Sequence, residues 1–232
     1  MNTEFKLLPS VIGCDLCNLE QDVKKLEEAG YRNLHADVLD GNFSPSMPIG
    51  LETYRQLSQK TNLGFDFHIM TQNNEFFIGE CVKMKPKRIC FQVEGERHIT
   101  HLLGMIQKEG ISAGLAFAPA TGVETVAPIL GECDYILLMR IEPGYAGAKN
   151  RTLSGMLEKV REARRLLDAI RPGIGLTVDG RVSFEDAGEL IRAGATSLVC
   201  GSRCAFVSRD YWENYGKMVQ KLAESEGKEL IL

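Results

Sequence analysis

His35-Ala36-Asp37-Val38-Leu39-Asp40-Gly41 and Asp66-Phe67-His68-Ile69-Met70 are the two stretches that decide how this chain folds and where its chemistry sits. Each places polar, metal-capable side chains at alternate positions of an apolar run. In an extended strand, residues i and i+2 point the same way. His35 and Asp37 therefore share one face, and Asp66, His68 and Met70 share another. A single imidazole in a strand is ordinarily a hydrogen-bonded core residue. Two strands that each carry His and Asp on one face point to a common pocket in which a metal can sit.

Working outward, apolar strand-like runs recur at 7–12, 33–38, 64–70, 88–93, 113–117, 135–141, 175–178 and 197–200. Segments of helical period follow them at 19–29, 51–59, 74–84, 99–109, 123–130, 153–170, 183–193 and 211–225. Gly30 and Gly110 stand at helix ends, Pro86 stops another, and Ser183 with Asp186 reads as a capping box. Near-continuous apolar strands fit a parallel sheet covered by helices. Eight such units in 232 residues fit a closed (β/α)₈ barrel, an α/β fold, as one domain over 1–232. The competing doubly wound sheet lacks its G-x-G-x-x-G after the first strand.

Composition narrows the function. Hydrophobic residues make up 44% and the net charge is −4. Nothing in this favours nucleic acid, which would want a basic face. No apolar run is long enough to span a bilayer, and residues 1–6 show no secretory pattern. A cytoplasmic location is the expectation. Seven scattered cysteines include one C-x-x-C, Cys14 and Cys17. Without a second pair or a thioredoxin-like context, this spacing reads as reduced thiols.

In a (β/α)₈ barrel the site lies at the C-terminal strand ends. Those ends carry Ser10; His35, Asp37 and Asp40; His68 and Met70; Gln92 and Glu94; Met139, Arg140 and Glu142; Asp179-Gly180-Arg181; and Gly201-Ser202-Arg203. His35, Asp37, His68 and Asp179 make a set of two imidazoles and two carboxylates suited to zinc, iron(II), manganese or cobalt. A metal there acts as a Lewis acid on a ketone and stabilises its enediolate. Two carboxylates on opposite sides of the reacting carbon serve as base and acid. Taken singly, each of these residues fits a rim ion pair; taken together, they favour the metal site. Met70 and Met139, with Leu39, offer an apolar wall beside the reacting carbon. Glycine turns at Pro143-Gly144-Tyr145-Ala146-Gly147, Asp179-Gly180 and Gly201-Ser202 present backbone amides of the kind that bind phosphate.

With Leu8-Pro9-Ser10, Ala113-Gly114-Leu115, Pro119-Ala120-Thr121, Leu138-Met139 and Val178-Asp179-Gly180 added, the chain resembles the ribulose-phosphate 3-epimerase family from residue 8 to residue 206. The resemblance implies a (β/α)₈ barrel that inverts the carbon beside a ketose carbonyl, using a divalent metal and two aspartates. It implies His35, Asp37, His68 and Asp179 as ligands, Asp37 and Asp179 as the acid–base pair, and Ser10 against substrate oxygens. It implies Met70 and Met139 along the reaction plane, and a homo-oligomer.

The chain also departs from the family pattern. Gln92-Val93-Glu94 stands for His-Pro-Glu, Ala118 for Asn, Glu142 and Ala148 for the Asn and Gln of the strand-six loop, Arg181 for Gly, and Arg140 for a small residue. Gly201-Ser202-Arg203-Cys204-Ala205-Phe206 looks more like the allulose 6-phosphate 3-epimerase branch. Arg181 and Arg203 fall at the expected phosphate corner, where guanidinium groups can replace lost amide contacts; the plainer reading sends them to solvent or to Glu142. The expected substrate is thus a phosphorylated ketose: a pentulose 5-phosphate, a hexulose 6-phosphate or, given the altered corner, a tetrulose or branched sugar phosphate. An aldolase or decarboxylase on a similar barrel is the alternative, though Lys149 lies out in a loop. A non-catalytic sugar-phosphate sensor is the other.

Overall fold

In the computed structural model, which describes residues 7–145 and 152–225, eight strands alternate with helical segments. The strands are β1 (Leu7–Pro9), β2 (Asn33–Leu39), β3 (Gly64–Met70), β4 (Arg88–Gln92), β5 (Ser112–Phe117), β6 (Tyr135–Met139), β7 (Gly175–Asp179) and β8 (Ser197–Cys200). The helices are α1 (Leu19–Ala29), α2 (Leu51–Ser58), α3 (Asn74–Val82), α4 (Ile99–Gln107), α5 (Met156–Ile170), α6 (Phe184–Arg192) and α7 (Tyr211–Ser225). All neighbouring strands are parallel, in the order β1-β8-β7-β6-β5-β4-β3-β2. A parallel bridge from Ser10 to His35 closes the ring between β1 and β2.

Strand alternation splits the core in two. One set of residues, including Val38, Phe67, Ile69, Phe91, Ile136 and Val178, packs with the helices. The intervening set, including Cys90, Ala116, Tyr135, Leu137 and Met139, fills the barrel interior. The expected architecture is therefore present, with local corrections. The first strand stops at Pro9 rather than 12, because Val11–Gly13 forms a 3₁₀ turn. Gly13 is required in that turn: a Cβ there would lie 2.4 Å from the Phe206 ring. The segment expected as an α-helix at 123–130 is a kinked 3₁₀ segment, Val123–Glu132, with non-helical Val126 and with Pro128 inside it. Proline lacks the N–H and clashes with the preceding turn. Helix α5 starts at Met156, not 153, after Gly155 at φ +89°. The Ser183–Asp186 capping box is present at the start of α6. All seven cysteines are free thiols.

Candidate metal and acid–base site

Register brings the two opening stretches together. β2 and β3 pair His35 with Asp66, Asp37 with His68, and Leu39 with Met70. Across the barrel, β6 pairs Met139 with Asp179 at the end of β7. One ligand atom from each of His35, Asp37, His68 and Asp179 lies within 4.8 Å of the others. His35 Nε2 is 3.3 Å from Asp37 Oδ1 and 3.8 Å from Asp179 Oδ2. His68 Nδ1 is 3.4 Å and 3.9 Å from the same two oxygens.

The far nitrogen of each ring fixes its orientation. His35 Nδ1 lies 2.8 Å from Asp66 Oδ2, so the proton that the pair shares sits on that side. Of the two amide orientations of Gln92, one satisfies every neighbour: its oxygen accepts from His68 Nε2 at 3.0 Å, and its nitrogen donates to Glu94 Oε2 at 2.6 Å and Ala116 O at 3.2 Å. Both rings thereby turn their second nitrogen inward, and these inner nitrogens, His35 Nε2 and His68 Nδ1, are buried without a hydrogen bond. Two imidazole nitrogens, once unprotonated, and two carboxylates facing one point make a donor set that a divalent cation completes.

Asp66 is itself held from below. Arg88 Nε and Nη2 lie 2.9 and 3.0 Å from its two oxygens, and Tyr135 donates to it at 3.2 Å. The guanidinium stacks 4.4 Å over the Tyr135 ring. Burial works against the charge of Asp66, yet Arg88 and His35 hold its carboxyl far below the usual range.

The two candidate acid–base groups are split. Burial disfavours the Asp37 carboxylate, but the neighbouring imidazoles of His35 and His68 hold its pKa far down. Asp179 is raised, by burial first and by the charge of Asp37, against the pull of His35 and His68. Ser10 Oγ donates to Asp37 Oδ2 at 3.0 Å, and Tyr54 donates to the Asp37 carbonyl at 2.8 Å.

Above these groups opens a cleft of about 400 Å³. Ser10, Asp37, Leu39, Met70, Met139, Gly144, Asp179, Gly180, Arg181, Gly201 and Ser202 all line it. Gly144, at φ +79°, lies where a Cβ would meet Ser44 at 2.4 Å. Gly147 and Lys149 lie outside the described residues. Arg181 adopts φ +54°, a left-handed conformation that arginine takes at a cost. Arg203 is exposed and stands apart from the cleft lining. Arg140 turns away from the barrel interior, donating to Asp186 at 3.0 Å at the start of α6. Ser46, Pro48, Ile12 and Val199 also line the cleft and carry no motif that marks them. Asp66 did carry a signal, because it shares the face of His68.

The ribulose-phosphate 3 epimerase family model matches residues 6–205. This chain belongs to that family. The epimerase of Buchnera aphidicola is 33% identical over 222 residues, which span 94% of this chain and 93% of that protein. The ribulose-phosphate 3-epimerase of Bacillus subtilis is 30% identical over 96% of this chain and 97% of its own length. That of Helicobacter pylori strain J99 is 31% identical over 89% and 93%. As an epimerase, the chain is an enzyme of the isomerase class. Among solved structures, a mutant tryptophan synthase α-subunit from Pyrococcus furiosus superposes with TM-score 0.66 at 17% identity, covering 95% of this chain and 99% of that one. Orotidine 5'-phosphate decarboxylase from Pyrococcus horikoshii superposes with TM-score 0.64 at 10% identity over 93% and 98%. These two share the (β/α)₈ fold. No described helix is long and apolar enough to cross a membrane.

Proposed function

We propose that this epimerase inverts carbon 3 of a phosphorylated ketose by proton transfer between Asp37 and Asp179. The observation that carries the reading is the convergence of these two carboxylates with His35 and His68 at the floor of a cleft, with their acidities displaced in opposite directions. Paired titratable groups whose pKa values are pushed apart are suited to separate acid and base roles. One aspartate takes the proton from carbon 3; the other returns a proton to the opposite face of the planar enediolate. The roles exchange in the reverse direction.

His35, Asp37, His68 and Asp179 would hold a divalent cation: zinc, iron(II), manganese or cobalt. Bound there, such an ion supplies Lewis-acid polarisation of a ketone. Ser10 aims Asp37 through its hydrogen bond. Leu39, Met70 and Met139 exclude water from the reacting carbon. The backbone at Gly144, Gly180, Gly201 and Ser202, together with Arg181, forms the phosphate end of the cleft. A pentulose 5-phosphate is the first substrate to test, since the relatives are named for ribulose phosphate. A hexulose 6-phosphate is the second, on the sequence from Gly201 to Phe206. Among the described residues, no lysine lines the cleft, which disfavours Schiff-base aldolase chemistry.

The test is isotope exchange in D₂O with metal-loaded protein and four-, five- and six-carbon ketose phosphates. Deuterium enters at carbon 3 of the true substrate, and Asp179→Asn lowers the exchange by roughly 10²–10⁴-fold. Tight binding of a ketose phosphate without exchange would make the protein a sensor and end this reading.

A further inference from the structure

Each imidazole of the metal set is backed by a different device. His35 faces a carboxylate, Asp66, directly. His68 faces a neutral amide, Gln92, which by itself can present either its oxygen or its nitrogen. Which end it presents decides the chemistry. With the oxygen toward His68, the proton stays on Nε2 and Nδ1 keeps its lone pair for the metal. With the nitrogen toward His68, Nε2 must accept, and the proton moves to Nδ1, the atom that has to bind.

Glu94 resolves this choice. Its Oε2 lies 2.6 Å from the Gln92 nitrogen in the satisfied orientation. A carboxylate only accepts, so it demands the amide N–H. The other oxygen of Glu94, Oε1, accepts from the Ala118 backbone N–H at 2.8 Å, which leaves the carboxylate no freedom to swing away. The Ala118 segment is pinned in turn: Lys159 Nζ donates to the carbonyls of Ala118, Pro119 and Thr121 at 2.8, 2.9 and 2.6 Å. The carbonyl of Ala116, 3.2 Å from the Gln92 nitrogen, pulls the same way.

We infer that Glu94 is a positioning residue for the metal: through Gln92 it holds His68 in the tautomer whose Nδ1 can ligate. The inference depends on the metal reading of the four-residue set. Glu94 belongs neither to the four-residue set nor to the cleft lining, so its effect on metal affinity runs through Gln92 or through its charge alone, and the two are separated by removing the Gln92 amide.

Glu94→Gln isolates the effect. The new side chain keeps its size and its oxygen can still accept from Ala118 N–H. Its amide nitrogen then faces Gln92 and calls for an acceptor, which turns the Gln92 nitrogen toward His68. Ala116 O resists that turn, so the expected loss is partial. The readout is Co²⁺ affinity, followed by the visible absorption of the bound ion during titration. Glu94→Gln weakens Co²⁺ by about ten-fold or more relative to wild type. At saturating Co²⁺ the bound spectrum and turnover return toward wild type. In a Gln92→Met background, which has no amide to orient, Glu94→Gln produces no further loss. Wild-type affinity in Glu94→Gln, or the same fold-loss with Met at position 92, overturns the relay while leaving the metal site intact. Failure of the wild-type protein to bind Co²⁺ at all overturns the metal reading and the relay with it. A lowered melting temperature with unchanged Co²⁺ affinity would assign Glu94 to packing alone and also overturn the inference.

Discussion

Ser10 Oγ donates to Asp37 Oδ2 at 3.0 Å, and the same serine makes the backbone bridge to His35 that closes the barrel. The last link in the ring of strands thus also aims the carboxylate proposed as one half of the acid–base pair. The other oxygen of Asp37 faces His35 and His68. Ser10→Ala removes the hydroxyl and leaves the bridge. We expect a stability loss of about 1 kcal/mol and a fall in kcat of roughly ten-fold, read by denaturant titration and steady-state kinetics. An unchanged kcat would mean that the strand alone orients Asp37.

The Asp66–Arg88 pair lies beneath the site, inside the barrel. Arg88→Met leaves a buried carboxylate facing only His35 and Tyr135. Breaking a buried pair from one side costs about 3–5 kcal/mol. Asp66→Asn combined with Arg88→Met should recover part of this, because no unpaired charge then remains. The pH dependence has a definite sign. The carboxyl of Asp66 is depressed in the fold, whereas in the unfolded chain it titrates at about 3.9. Its contribution is therefore complete above that pH and is lost as the pH falls below it. Acid unfolding curves should show a shallower low-pH limb when Asp66 is replaced by Asn.

Much of this was legible in the sequence, for specific reasons. The i, i+2 spacing of His35 with Asp37, and of Asp66 with His68, follows directly from strand geometry, so these side chains could be grouped before any contact was known. Asp179 joined them because it ends a strand at the same rim. The second tier was harder to read. Gln92 meets His68 only through the stagger between β3 and β4, and Glu94 meets Gln92 only where the chain leaves β4. The first relation has no sequence period, and the i, i+2 spacing of Gln92 and Glu94 does not by itself say that the pair backs His68. The 3₁₀ turn at Val11–Gly13 was likewise hidden, since an apolar run reads as extended, and the closeness of Phe206, almost two hundred positions away, to Gly13 has no sequence signal. Arg203 stands in the same loop as the cleft-lining Ser202 but is not itself part of the lining.

Arg181 joins backbone strain to a position in the cleft wall. Non-glycine residues at positive φ cost on the order of 1 kcal/mol. Arg181→Gly relieves this, so we expect stability to rise or hold within about 1 kcal/mol. If the guanidinium holds the phosphate, KM should rise by about ten-fold or more, with kcat much less affected. Arg203→Ala should change KM little. Equal KM values for wild type and Arg181→Gly would assign the phosphate to backbone amides alone.

His35 links metal binding to pH. Burial opposes its charge, but Asp37 and Asp66 outweigh burial and raise its pKa well above the ordinary value. In the metal-free fold it therefore carries a proton at neutral pH. The resulting stabilisation is complete below the unfolded pKa of about 6.5 and is lost as the pH rises through the folded value. A metal needs the neutral ring, so binding must expel that proton. Apparent affinity should rise by about ten-fold per pH unit for one displaced proton until the folded pKa of His35 is reached. Calorimetric titration in buffers of different ionisation enthalpy reads the proton release directly. The metal-free protein should weaken toward alkaline pH while the loaded protein does not, because the cation takes the place of the Nε2 proton beside Asp37 and Asp179. Affinity that stays flat across neutral pH, with no proton released, would mean that His35 is already neutral and that Asp66 does no more than orient its ring.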